Sequence, residues 1–179
     1  SILMLLLVVG LALPALAAGT DSIEKVTVLK DSNGQKLQVD VRDFMVFGMN
    51  WGYMPIGENY SYDLWGKSDD FIMAMLADEM PLLQAMGVNT IRQYAGIPPR
   101  WVKYIYETYG IYTIVNHAVA RWGYTLDGVW NPSTDYSNPR LREAVKEEVF
   151  SLVKEFEGVP GVLMWLLGNE NNYGIWWSS

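Results

Sequence analysis

The chain has 179 residues, half of them hydrophobic, with 13 basic against 20 acidic side chains and a formal net charge of −7. That length accommodates one ordinary core, and the acidic balance excludes a nucleic-acid partner, whose phosphates demand a basic stripe. The lack of cysteine removes disulfides, thiol nucleophiles and thiolate metal sites, and the single histidine argues against an imidazole-built zinc site, so no cofactor is expected.

Residues 1–18, SILMLLLVVGLALPALAA, are an apolar run broken by Pro14 and ending in small side chains. Ala15-Leu16-Ala17 offers the small-x-small pattern that a signal peptidase cleaves, after Ala17 or Ala18. The expectation is a secreted, periplasmic or cell-envelope protein with no stable membrane insertion once the signal is removed. An uncleaved membrane anchor is the alternative. No initiator methionine or basic stretch precedes the run, so the signal peptide is expected to be truncated at its start.

Residues 19–43 read as a short β-hairpin lead-in. VTVLK and LQVDV alternate apolar and polar residues around DSNGQK, where Asn33-Gly34 supplies the positive φ of a tight turn. From residue 44 to 179 short apolar runs alternate with helical stretches. FMVFGMN is a strand ending at Asn50. FIMAMLADEMPLLQAMGVN is helical, with Pro81 either kinking it or opening a second helix capped by Asp78, and with Gly87 as the stop. NTIRQYA is the second strand. PPRWVKYIYETYG is a helix opened by prolines and closed by Gly110. IYTIVNH is the third strand, and AVARWGYTLDGVWNPSTDYS reads as a long loop.

In NPRLREAVKEEVFSLVKEFEG, Asn138 is placed as N-cap and Pro139 at the first helical position. Leu141, Val145, Val149, Leu152 and Phe156 form one apolar stripe, and Gly158 ends the helix. GVLMWLLG closes the series as a nearly continuous apolar strand, as expected when both faces are buried.

This β-α-β-α-β-α-β order is compatible with an open doubly wound sheet or a (β/α)8 barrel. No glycine-rich phosphate fingerprint follows any strand, which weighs against a nucleotide-binding open sheet. Polar or charged residues end all four strands: Asn50, Arg92, Asn116 with His117, and Asn169 with Glu170. Barrel enzymes build their sites at that rim. The expected fold is therefore α/β, a (β/α)8 TIM barrel. Residues 44–179 would supply its N-terminal half, strands one to four, behind the hairpin.

Glu170 is the leading catalytic candidate. A rim glutamate whose pKa is raised by partial burial can protonate a leaving group and then deprotonate water; capping a loop or pairing with Arg92 is the structural alternative. Asn169 suits a sugar hydroxyl, since an amide both donates and accepts. Arg92 is a candidate to hold a catalytic carboxylate ionised, or else a structural ion pair. His117 is read either as a contact to substrate or carboxylate, or as a satisfied loop histidine. Trp51, Trp122, Trp130, Trp176 and Trp177 fall in rim loops, where their faces suit stacking on a sugar, and Tyr173 joins them as a substrate contact. Trp101 and Trp165, in a helix and a strand, are assigned to the core. Glu58, Asp63, Asp127 and Asp135 have no motif around them and read as solvated surface.

GVNTIRQYAGIPPRWVKYIYETYGIYTIVN and, further along, GVLMWLLGNENNYG resemble the catalytic barrel domain of glycoside hydrolase family 2, the domain of β-galactosidases and β-glucuronidases. The resemblance spans residues 44 to 174, and its N-E at the end of strand four marks the wider clan of retaining (β/α)8 glycosidases. It implies a carbohydrate substrate and hydrolysis of O-glycosidic bonds by double displacement. It also implies that Glu170 is the acid/base, that Asn169 binds the hydroxyl next to the anomeric carbon, and that Arg92 supports the nucleophile.

Three departures accompany it. The clan's nucleophile is a second glutamate at the end of strand seven, which no residue here matches. The chain is accordingly expected to be part of a longer gene product, inactive alone and exposing apolar edges. Only a hairpin precedes the barrel, where family members carry β-sandwich domains; this suits an outlying group that remodels glucans by transglycosylation. Strand three ends NHAVARWG, where many relatives are acidic. A barrel that binds carbohydrate without catalysis is the remaining alternative.

Overall fold

The computed structural model describes residues 24–94 and 96–171. The expected signal segment and the candidates Tyr173, Trp176 and Trp177 lie outside the described residues.

The lead-in is an antiparallel meander of β1 (Val26–Asp31), β2 (Gly34–Val39) and β3 (Arg42–Asp43). The hairpin is joined by a third strand because the chain reverses again at Asp40 and Val41, with φ of 47° and 62°. Asp40 is held there by Lys25, whose N–H donates to its Oδ1 at 2.8 Å. The meander meets the rest of the molecule through Glu24, which accepts from the Tyr112 hydroxyl, and through Phe44, edge-on to the same ring. Burial and the Glu24 contact push the Tyr112 phenol well above the ordinary tyrosine range.

Then come β4 (Gly48–Asn50), α1 (Asp69–Ala85), β5 (Thr90–Gln93), α2 (Pro99–Tyr109), β6 (Tyr112–His117), β7 (Tyr124–Leu126), β8 (Val129–Asn131), α3 (Pro139–Glu155) and β9 (Val162–Leu167). The strands β4-β5-β6-β9 form one parallel sheet in chain order, each step crossed by a helix. Successive parallel βα units are the construction of a barrel wall. Among the described residues the sheet is open, with β4 and β9 at its edges.

Helix α1 starts at Ser68, whose hydroxyl accepts from the Phe71 N–H, and runs without interruption through Pro81. Asp78 therefore lies inside the helix and caps nothing. The proline is tolerated because it and Ala77, whose carbonyl loses its partner, are both exposed, so water can satisfy that oxygen. Helix α2 ends at Gly110, at φ 65°, as its position predicts. Asn138 caps α3 by accepting from the N–H groups of Arg140 at 2.9 Å and Leu141 at 3.4 Å. Of the predicted stripe, Leu141, Val145 and Phe156 are buried, and Val149 and Leu152 are half-buried.

Two readings change. The loop after β6 contains the hairpin β7–β8, turned at Asp127-Gly128 with both φ angles positive, the pairing that a tight hairpin favours. And among the described residues β9 is an edge strand and is not covered on both faces: Trp165, expected in the core, is 37% exposed, with Leu167 at 57%. Among the described residues no helix is long and apolar enough to cross a membrane.

Candidate active site

Residues paired across a parallel sheet point to the same face. The register Asn50↔Arg92, Arg92↔Ile114 and Ile114↔Met164 puts Arg92 and, two residues beyond Ile114, Asn116 on one face at the C-terminal end of the sheet. There the Arg92 guanidinium joins two strand tips. Its Nη2 donates to Asn116 Oδ1 and to Asn169 Oδ1, both at 2.8 Å. The Tyr94 ring lies beneath it, 4.6 Å from the guanidinium carbon. Arg92 thus bonds the two amides; the structural alternative of a pair with Glu170 is not the arrangement adopted. Its Nε is buried and has no hydrogen-bond partner among the described residues.

After β9 the chain turns at Gly168, whose N–H donates to the His117 carbonyl at 2.7 Å. Glycine is required here, because φ is 109° and a Cβ would lie 2.5 Å from Asn171 Oδ1. Asn171 Oδ1 in turn accepts from the Asn169 N–H at 2.7 Å. Glu170 sits next, at φ 54°, with its carbonyl accepting from Arg121 Nε at 2.7 Å. Its side chain is exposed, so the partial burial expected of an acid/base is not supplied by the described residues.

The remaining candidates separate. His117 follows Asn116 in the strand and so faces the opposite side. Its Nδ1 accepts from the Val119 N–H at 3.0 Å and its Nε2 lies 3.7 Å from a Glu148 carboxylate oxygen on α3. Both ring nitrogens are turned to the helix layer and loop, away from Arg92. Trp51 is 6% exposed, its Nε1 donating to Glu79 at 3.3 Å and its ring packed against Trp65, so it belongs to the core and offers no face to a ligand. Trp122, at 60% exposure, and Trp130 keep open rings at the rim. Trp101 is core, as expected. Asp127 pairs with Arg140 at 2.6 Å rather than standing alone. Asp135 accepts from the Ser137 hydroxyl and N–H, which hold its carboxyl below the usual range.

Two residues that sequence reasoning passed over, Arg121 and Tyr136, touch the Glu170 region. The Tyr136 hydroxyl accepts from Asn171 Nδ2 at 2.9 Å and donates to the Val119 carbonyl at 2.7 Å. Both lie in the irregular β6–α3 loop, where no periodic signal singles out a side chain. Among the described residues no group of three or more histidine, aspartate or glutamate side chains could hold a metal ion.

Parallel βα units that bring an arginine, two amides and a carboxylate to the C-terminal strand tips define a barrel-type enzyme site. A family model described as glycosyl hydrolases family 2, TIM barrel domain, matches residues 35–178. The chain belongs to that family. The match opens at Gln35, inside β2, and so takes in part of the meander. A search of curated proteins finds no match. Membership makes a glycosidase-type activity on a carbohydrate the coarse functional assignment.

Proposed function

We propose that the protein is an exported retaining β-glycoside hydrolase, acting on O-glycosidic bonds of oligo- or polysaccharides, with Glu170 as its acid/base. The observation that carries this reading is the Arg92 bridge, which fixes Asn169 one residue from Glu170 at the sheet's C-terminal end. Because Asn169 Oδ1 already accepts from Arg92, its Nδ2 is left to donate to the sugar hydroxyl beside the anomeric carbon.

In the proposed reaction Glu170 gives its proton to the glycosidic oxygen as that bond breaks. A second carboxylate, about 5 Å away, attacks the anomeric carbon. Water then displaces the enzyme carboxylate, and Glu170 takes the water's proton. The Arg92 guanidinium, held at the strand tips by Asn116 and Asn169, brings a fixed positive charge suited to keeping the attacking carboxylate ionised.

No residue of the sequence is assigned as that nucleophile. In this reading β4, β5, β6 and β9 are the first four strands of a (β/α)8 barrel, and the nucleophile stands on a later one. Trp122 offers its open face to a sugar ring, and residues 1–18 direct export. N-terminal sequencing of the mature protein tests the export step: a start at Ala18 or Gly19 supports it, and retention of residues 1–18 does not.

The test of the acid/base is Glu170→Gln in the protein as its gene encodes it. Turnover of glycosides with poor leaving groups should fall by about 10²- to 10⁴-fold, while activated aryl glycosides, which need little protonation, should be largely spared. Equal loss on both substrates would remove Glu170 from that role.

A further inference from the structure

We propose that Arg121 and Tyr136 are positioning residues for Glu170, an inference that rests on the acid/base reading of that residue. Glu170 lies three residues beyond the end of β9, outside the ladder of strand hydrogen bonds, so contacts from elsewhere must hold its backbone. It also occupies the left-handed region, at φ 54°, a conformation that a glutamate adopts only when its surroundings impose it.

Those surroundings are one loop, residues 118–137. Arg121 Nε holds the carbonyl of Glu170 at 2.7 Å. The Tyr136 hydroxyl holds Asn171 Nδ2 at 2.9 Å, and Asn171 Oδ1 holds the Asn169 N–H at 2.7 Å. The backbone is therefore gripped on both sides of Glu170, while its carboxylate stays free to act.

The loop that does the gripping is itself tied down. Tyr136 donates to the Val119 carbonyl at 2.7 Å and Asn171 Nδ2 to the Ala118 carbonyl at 3.3 Å. Thr134 donates to the Ala120 carbonyl. The β7–β8 turn is pinned to α3 by both oxygens of Asp127 on Arg140. Arg121 is also stacked over Trp122, 4.4 Å from the ring centre, so the rim tryptophan and the Glu170 peptide share one support.

A peptide rotation at Glu170 would swing its carboxylate by an ångström or more, and a misplacement of about 1 Å can cost about 10²-fold in rate. Tyr136 acts on geometry and not on the binding of the sugar, so its loss should appear in kcat rather than KM, whereas loss of Arg121, which also supports Trp122, should raise KM as well.

The experiment compares Tyr136→Phe, Arg121→Ala and Arg121→Lys with Glu170→Gln in the gene-encoded protein, on poor and activated aryl glycosides. Tyr136→Phe keeps the ring of a well-exposed side chain and removes only the hydroxyl, so the fold should survive. Expected is a fall in kcat of about 10- to 100-fold on poor leaving groups, less on activated ones, with KM nearly constant in Tyr136→Phe, a raised KM in Arg121→Ala, and partial recovery in Arg121→Lys.

If Glu170→Gln shows the leaving-group dependence but the clamp variants behave as wild type, the positioning role is overturned and the acid/base reading stands. Equal loss of rate on both substrates in the clamp variants would overturn it in the same way. If Glu170→Gln itself loses rate equally on both, the acid/base reading falls and takes this inference with it.

Discussion

On the flank of the sheet formed by α1 and α2, the side chains of Ile72, Leu76, Met80, Ile91, Val102 and Ile105 are completely buried. On the flank formed by α3 and β9, the same alternation of strand and helix leaves Trp165, Leu167 and Phe150 open to solvent. The first flank is ordered by apolar packing. The second is ordered at its tip by hydrogen bonds: Arg92 to Asn169, Gly168 to His117, Arg121 to Glu170, and Tyr136 to Asn171. Apolar packing is thus densest on one side of β6, with Leu141, Phe156 and Leu163 extending it to the other, and the candidate chemistry gathers at the tips of β5, β6 and β9. A polar tip can be tuned or lost without dissolving the core beneath it.

The largest expected effect lies on the packed flank. Leu76→Ala opens a cavity among side chains that cannot collapse far, and should cost about 2–5 kcal/mol of stability. Urea denaturation measures it. A cost below about 1 kcal/mol would mean that this flank is not the rigid one and would break the comparison.

A smaller effect is expected where the flanks meet. Gly161, just before β9, has φ 86°, and a Cβ there would overlap the Tyr106 Cβ of α2. That carbon cannot swing aside as a side-chain end can, so α2 or β9 must shift. The Gly161 carbonyl also accepts from the Thr113 N–H at 2.8 Å, so β6 is disturbed as well. Gly161→Ala should cost about 1–3 kcal/mol by thermal unfolding, with one cooperative transition. Two separate transitions would show that the flanks melt independently, which sharpens the division further.

What could be read from the sequence followed how local each signal is. Asn138-Pro139 opening α3 and Gly110 closing α2 act through their own turn of helix, and both are found in place. The parallel strand order follows from the alternation of periods. Asp127-Gly128 was equally local, a hairpin signal inside a stretch that read as a loop. Pro81 misled because the cost of a helical proline depends on whether the orphaned carbonyl faces water, which is a matter of tertiary placement. Trp51 misled for the same reason: it follows a strand tip, yet Glu79 and Trp65 draw its ring inward, and Gln93 holds its carbonyl at 2.6 Å. That Asn169 and Glu170 stand just beyond the C-terminal end of a parallel strand was legible from the strand-tip motif. Arg121 and Tyr136 were not, because they reach the tip across 49 and 35 residues of chain.

The smallest expected effect tests the other flank directly. Leu167 is the last residue of β9, 57% exposed, and it immediately precedes Gly168. Threonine in its place keeps a good strand former and gives up apolar surface that is mostly uncovered among the described residues. Leu167→Thr should therefore change stability by less than about 0.5 kcal/mol. The more telling measurement is its kinetics in the gene-encoded protein. If hydrogen bonds alone order the tip, the Gly168 to His117 bond and the Arg121 grip on Glu170 persist, and the leaving-group dependence of kcat stays that of wild type. A variant of wild-type stability whose kcat fell selectively on poor leaving groups would show that Leu167 packing sets the pose of Glu170. The apolar and polar flanks would then no longer be separable.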